Sequence, residues 1–148
     1  MIQGIFHINI NVTDFERSLE FYQMLGFRVV ADLGEGGSQA LNAGLRIPDG
    51  RGRAALLMLG EDPHATRIDL IEWKNPKTAG QAYPHLYHVG MARLALKTKN
   101  LPQVYEDLKA RGVEFFSEPQ ELHFPNQGRA SFVCFTDPDG TILELIDF

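Results

Sequence analysis

The chain reads as an α+β protein built from two tandem βαβββ modules, and three observations predict it. Gly4-Ile5-Phe6-His7-Ile8-Asn9-Ile10 has a counterpart in Gly90-Met91-Ala92-Arg93-Leu94-Ala95-Leu96, and the same offset of 86 carries Glu20 onto Glu106 and Gly26 onto Gly112. In each half an alternating strand pattern passes into a helical one and stops at a glycine. A later strand, Ile68-Asp69-Leu70-Ile71-Glu72, is matched by Gly140-Thr141-Ile142-Leu143-Glu144; aligning Glu72 with Glu144 gives an offset of 72 and leaves 14 extra residues in the first half. Self-similarity of this kind marks a duplicated supersecondary unit.

The first strand places Phe6, Ile8, Ile10 and Val12 on one face and Ile5, His7, Asn9 and Asn11 on the other, because side chains alternate along a strand. The second face holds an imidazole and two amides, groups able to line a cavity. A helix follows, capped by Thr13 or Asp14, with Phe15, Leu19 and Tyr22 at helical spacing and Gly26 as its left-handed stop. In the second copy Leu101, Val104, Tyr105 and Leu108 repeat the stripe before Gly112, and Pro102 sits in the first turn, where its missing N–H costs little. Short strands are then expected at 27–32, 39–47, 53–59 and 67–73, and in the second half at 113–116, 120–124, 129–136 and 141–146. Residues 46–53 and Asp137-Pro138-Asp139-Gly140 are turns by composition. One domain over 1–148 is expected, with module 1 at about 1–73, a linker at about 74–88 and module 2 at about 89–148.

Composition limits the function. The 148 residues carry 14 Lys+Arg against 19 Asp+Glu, a net charge of −5, with 44% hydrophobic and 22% charged residues, as in an ordinary globular domain. An acidic balance argues against nucleic acid, whose phosphates demand a basic footprint. No apolar run reaches the roughly 20 residues of a membrane span, and no basic-then-apolar leader opens the chain. The single cysteine, Cys134, excludes an intrachain disulfide and fits a reducing compartment. A cytoplasmic protein with a small-molecule partner is expected, with no nucleic acid and no membrane. There is no Gly-rich phosphate loop before a helix, no Gly-x-Ser-x-Gly elbow and no His-Glu-x-x-His helix.

Two βαβββ units in this length, with Phe6-His7-Ile8-Asn9-Ile10, then 18–27 (Ser18-Leu19-Glu20-Phe21-Tyr22 through Leu25-Gly26-Phe27), then Phe135-Thr136-Asp137-Pro138-Asp139-Gly140-Thr141-Ile142-Leu143-Glu144-Leu145, resemble the vicinal oxygen chelate superfamily. That group includes glyoxalase I, bleomycin-resistance proteins, methylmalonyl-CoA epimerase and extradiol dioxygenases. The resemblance covers nearly the whole chain. It implies a glyoxalase-like fold whose paired sheets form a U-shaped cleft, with a divalent metal held by residues of the first and last strands of each repeat.

Carried over by position, the resemblance implies His7, Glu72 and Glu144 as metal ligands, with Arg93 where a histidine is usual. An imidazole and two carboxylates suit Zn, Mn, Fe, Co or Ni. Arginine is a permanent cation with donors only, and at about 4 Å from a dication it is repelled by roughly 8 kcal/mol at an effective dielectric near 20. Either Arg93 swings away from a metal to clamp an anionic group, or it replaces the metal and pairs with Glu144, Glu72 or both.

The resemblance further implies Glu144 or Glu72 as the catalytic carboxylate that moves a proton beside a carbonyl, with the enolate stabilised by metal or by Arg93. Arg93, Asn9 and Trp73 are the candidate substrate-binding residues. The function implied is an isomerase, epimerase or lyase on a small oxygenated substrate; the alternatives are a bleomycin-resistance type of sequestering protein and a ring-cleaving dioxygenase. A homodimer is expected on resemblance alone.

Other polar and aromatic residues have plainer readings. His64, His85, His88 and His123 are loop histidines, Phe21, Tyr22 and Tyr105 are core packing, and Cys134 in an apolar strand is an inert small hydrophobe.

Overall fold

The computed structural model describes all 148 residues. They divide into two compact units, 1–80 and 81–148, each a four-stranded mixed sheet with a helix on one face. The elements of the first unit are β1 (His7–Asn11), α1 (Phe15–Met24), β2 (Arg28–Gly36), α2 (Gln39–Leu45), β3 (Arg51–Met58) and β4 (Arg67–Asn75). The second has β5 (Leu94–Lys97), α3 (Leu101–Ala110), β6 (Gln120–Phe124), β7 (Gly128–Thr136) and β8 (Ile142–Asp147). Strand order is β1-β4-β3-β2 in one sheet and β5-β8-β7-β6 in the other. In both, the first strand pairs parallel with the last and the remaining pairs are antiparallel.

In the first unit Ile10, Val12, Leu57, Ile68 and Leu70 turn inward with Phe15 and Tyr22 of α1, all buried. Burial of such side chains contributes about 1.5–3 kcal/mol each. Asp14 is the N-cap of α1 and accepts a hydrogen bond from the Arg17 N–H. Gly26, at φ +101°, permits the turn into β2. The second unit repeats this core with Leu101, Tyr105, Leu108, Val133, Phe135, Leu143 and Leu145.

Two expected strands are absent. The stretch expected as a strand at 39–47 holds α2 (Gln39–Leu45) instead, a helix capped by the Ser38 hydroxyl and ended by Arg46 in the left-handed conformation. The Ser-Gln-Ala-Leu-Asn-Ala sequence carries no β-branched residue and begins on a capping serine, signals that favour helix over strand. At 113–116 only a single bridge forms, between Phe115 and Phe135. The expected linker also starts too early, since β4 continues through Lys74 and Asn75.

The register between the copies differs from the expected one. Asn9 pairs with Asp69 and Ala95 with Glu144, so the offset on the last strand runs from Asp69 to Glu144, which is 75. Glu72 therefore corresponds to Asp147. Two hydrogen bonds confirm this: the Phe15 N–H donates to Glu72 Oε2 at 2.9 Å, and the Leu101 N–H donates to Asp147 Oδ2 at 3.2 Å. The first half thus carries 11 additional residues rather than 14. Leu56 and Cys134, the partners of Asp69 and Glu144, are offset by 78, so eight of the eleven precede β3, in the half-unit that contains α2, and three lie in the β3–β4 connection.

Candidate functional site

Strand alternation sorts the candidate residues by face. His7, Asn9 and Asn11 of β1, with Asp69, Ile71 and Trp73 of β4, line the face of the first sheet opposite α1. Over this face lies α2, whose Leu41 and Leu45 are one turn apart and also line the space. Between helix and sheet is a pocket of about 630 Å³. It exists because α2 stands off the sheet: none of its residues is buried, and it makes no extensive contact with any other element. Small residues widen the floor, for a Cβ added at Gly34 or Gly36 would meet nothing within 4 Å.

The polar residues of the pocket are held in order. The Trp73 indole N–H donates to Asn11 Oδ1 at 3.0 Å, and the Asn9 amide donates to the Asp69 carbonyl at 3.1 Å. The Asp69 side chain is 15% exposed, and its Oδ2 lies 3.8 Å from His7 Nε2, too long for a hydrogen bond. Its Oδ1 has no partner. Burial pushes the Asp69 carboxyl above its ordinary value, and the neighbouring His7 only partly offsets this. Asp69 is thus a pocket-lining carboxylate with no hydrogen bond to its side chain, and the sequence reading overlooked it. The signal was available: Asp69 shares parity with Ile71 and Trp73, and Glu72 does not.

Glu72 requires correction as a partner of His7. It sits on the α1 side of the sheet, where its carboxylate accepts the Phe15 N–H and, at 2.6 Å, the Lys74 ammonium. Burial pushes its pKa up, but the hydrogen bonds from Lys74 and Phe15 outweigh that and the net shift is downward. An acid at a helix N-terminus satisfies an orphan N–H and the helix dipole; Glu72 is an anchor for α1.

In the second unit the Arg93 Nε–H donates to Glu144 Oε2 at 2.5 Å. Glu144 is 6% exposed and Arg93 46%. The expected pairing of Arg93 with an acid is therefore made with Glu144. The pair occupies the same positions as His7 and Asp69 at the internal offsets of 86 and 75, with a nitrogen base at or just before the first strand and an acid on the last. Cys134 packs 3.9 Å from the same Glu144 oxygen. Burial, then the adjacent carboxylate, raises its pKa, so it is kept as a thiol.

The donors do not fit a divalent metal within either unit. The first offers His7 and Asp69 with Glu72 turned to the other face, the second has Glu144 already engaged by a guanidinium, and no three His, Cys, Asp or Glu side chains gather. No helix is long and apolar enough to cross a membrane. Of the histidines expected in loops, His123 lies in β6 instead, and His85 and His88 approach one another, at 4.9 Å between ring centroids, with Tyr87 stacked on His85.

Comparison with known proteins agrees with this fold. A glyoxalase family protein from Bacillus cereus superposes with a TM-score of 0.83 at 12% identity, over 99% of this chain and 95% of the other. One from Enterococcus faecalis gives 0.68 at 23% identity, covering 97% of each chain. A superfamily member from Sphaerobacter thermophilus gives 0.64 at 22%, over 99% and 98%. Among curated proteins none matches the sequence. The model of the Glyoxalase/Bleomycin resistance protein/Dioxygenase superfamily matches residues 4–145, nearly the whole duplicated unit, and the chain belongs to that superfamily.

Proposed function

We propose that the chain is a small-molecule-binding protein that takes a largely apolar organic ligand between α2 and the first sheet, by a mode that uses no chelated metal. The observation that carries this is the gap itself. Leu33, Leu41 and Leu45 face it with 58%, 49% and 49% of their surface exposed, and an apolar ligand would cover them at a gain of about 25 cal/mol per Å². Pockets of this size and lining are the usual form of small-molecule sites. The acid at the ligand position of the second unit is committed to Arg93, which supports sequestration over metal-assisted turnover.

The test uses Nile red, a neutral apolar dye. Saturable fluorescence enhancement at about one dye per chain is expected, and Gly36→Leu, which projects a side chain into open pocket space without a strained backbone, should abolish it. Undiminished binding to a folded Gly36→Leu variant would remove the proposal.

A second reading is favoured by Asp69. A half-buried carboxyl with a raised pKa beside an imidazole suits proton transfer, so an isomerase, epimerase or lyase acting beside a carbonyl would place its base there. Incubating dihydroxyacetone with the protein in D2O tests it. Carbon-bound exchange above the buffer rate, lost in Asp69→Asn, would establish the enzyme; exchange at the buffer rate leaves binding as the function.

A further inference from the structure

Resting on the pocket reading above, we infer that the ligand carries a protonated amine, which Asp69 receives, on an apolar body that α2 covers. The pocket is lined by one carboxylate, Asp69, and by no lysine or arginine. Asp69 therefore disfavours an anionic ligand, and no lysine or arginine in the lining offsets it. Asp69 Oδ1 is closed off from solvent and has no partner, so the oxygen left for a ligand to reach is Oδ2. That oxygen sees only His7, at a distance beyond hydrogen bonding.

A buried acceptor left open is costly, and structures normally fill such a vacancy with a donor. The nearby side-chain amides do not do so. The Asn9 amide is directed to the Asp69 backbone carbonyl, and Asn11 accepts from Trp73. A donor from outside the chain can therefore take Oδ2. Of common organic donors, an ammonium satisfies both the hydrogen bond and the charge, and charge-assisted bonds are about twice as strong as neutral ones. Ile71 and Trp73 on the sheet and Leu41 and Leu45 on α2 leave only apolar surface for the rest of the molecule. Trp73 adds an aromatic wall, which favours a cation further where the ring face is presented.

The contrast with the second unit sharpens the assignment. There the equivalent acid, Glu144, is served by Arg93 of its own chain at 2.5 Å. In the first unit the matching position is the shorter His7, which stops at 3.8 Å. One acid has an internal cation and the other is left to take an external one.

The experiment uses three optically silent probes of one shape: 1-adamantylamine, 1-adamantanol and adamantane-1-carboxylate. Trp73 is the chain's single tryptophan, so its fluorescence reports the pocket alone. The amine is expected to bind at least about tenfold more tightly than the alcohol, equivalent to ~1.4 kcal/mol, with the carboxylate weakest. Asp69→Asn, its fold checked by circular dichroism, should bring amine and alcohol to within about twofold of each other.

Equal affinities for amine and alcohol in the unmodified protein, or a preference for the carboxylate, would overturn this inference and leave the pocket reading standing. Amine preference that survives in Asp69→Asn would overturn it too. Failure of every probe, Nile red included, would take the pocket reading down with it.

Discussion

Asp69 and Glu72 are three residues apart on one strand and are titrated in opposite directions by their surroundings. Asp69 is raised, by burial first, so the folded chain binds its proton more readily than the unfolded chain. Stability should therefore fall as pH rises from the ordinary aspartate value through the folded one, and the cost persists at neutral pH. Asp69→Asn is expected to raise stability at pH 7 by about 1 kcal/mol or less, with the gain vanishing in acid; denaturant melts at pH 7 and pH 3 check it. Stability lost on removing ligand recognition would instead mark Asp69 as structural. Arg93→Ala presents the reverse case, because it strands a nearly buried Glu144. A loss of about 2 kcal/mol is expected, and Glu144→Gln in the same chain should restore part of it.

At the scale of elements, the two helices that pack on the sheets are each anchored by a carboxylate of the last strand, Glu72 on α1 and Asp147 on α3. Loss of such a cap costs about 1 kcal/mol, and Glu72→Ala should show that loss in a thermal melt near neutral pH. The Glu72 carboxyl is lowered on folding, so its contribution is present above the ordinary glutamate value and disappears as pH falls through the folded one. The variant and the unmodified chain should converge in acid. α2 stands apart from this scheme. It is held at Ser38 and at the close approach of Gly37 to the Gly50 carbonyl, where any added Cβ would collide. Gly37→Ala should shift α2 and weaken Nile red binding without unfolding the core, which near-ultraviolet and far-ultraviolet circular dichroism would separate.

Across the whole molecule, the duplication was legible because hydrophobic periodicity and glycine stops survive when residue identity does not. The helices α1 and α3, the strand alternation of β1 and the Asp137–Gly140 turn all follow from local chemistry. Two things did not. The helix at 39–45 fell in a stretch whose apolar spacing also fits a strand, and no core contact exists there to enforce either pattern. The register of β4 against β8 was misjudged because Glu72 and Glu144 look alike in a one-dimensional alignment. The pairing of Asn9 with Asp69 and of Ala95 with Glu144 separates them, as does the strand parity that sets Asp69 with Ile71 and Trp73. That three-residue shift moved the candidate acid from one face of the sheet to the other, since an odd shift reverses side-chain direction.

The whole account turns on a ligand entering between α2 and the sheet beside Trp73. The most direct measurement is a proton–nitrogen correlation spectrum of the ¹⁵N-labelled chain titrated with 1-adamantylamine, followed through the single tryptophan indole N–H. The account predicts that this one cross-peak moves saturably, together with amides of 33–47. An unmoved indole peak, with perturbations confined to other parts of the chain, would contradict it.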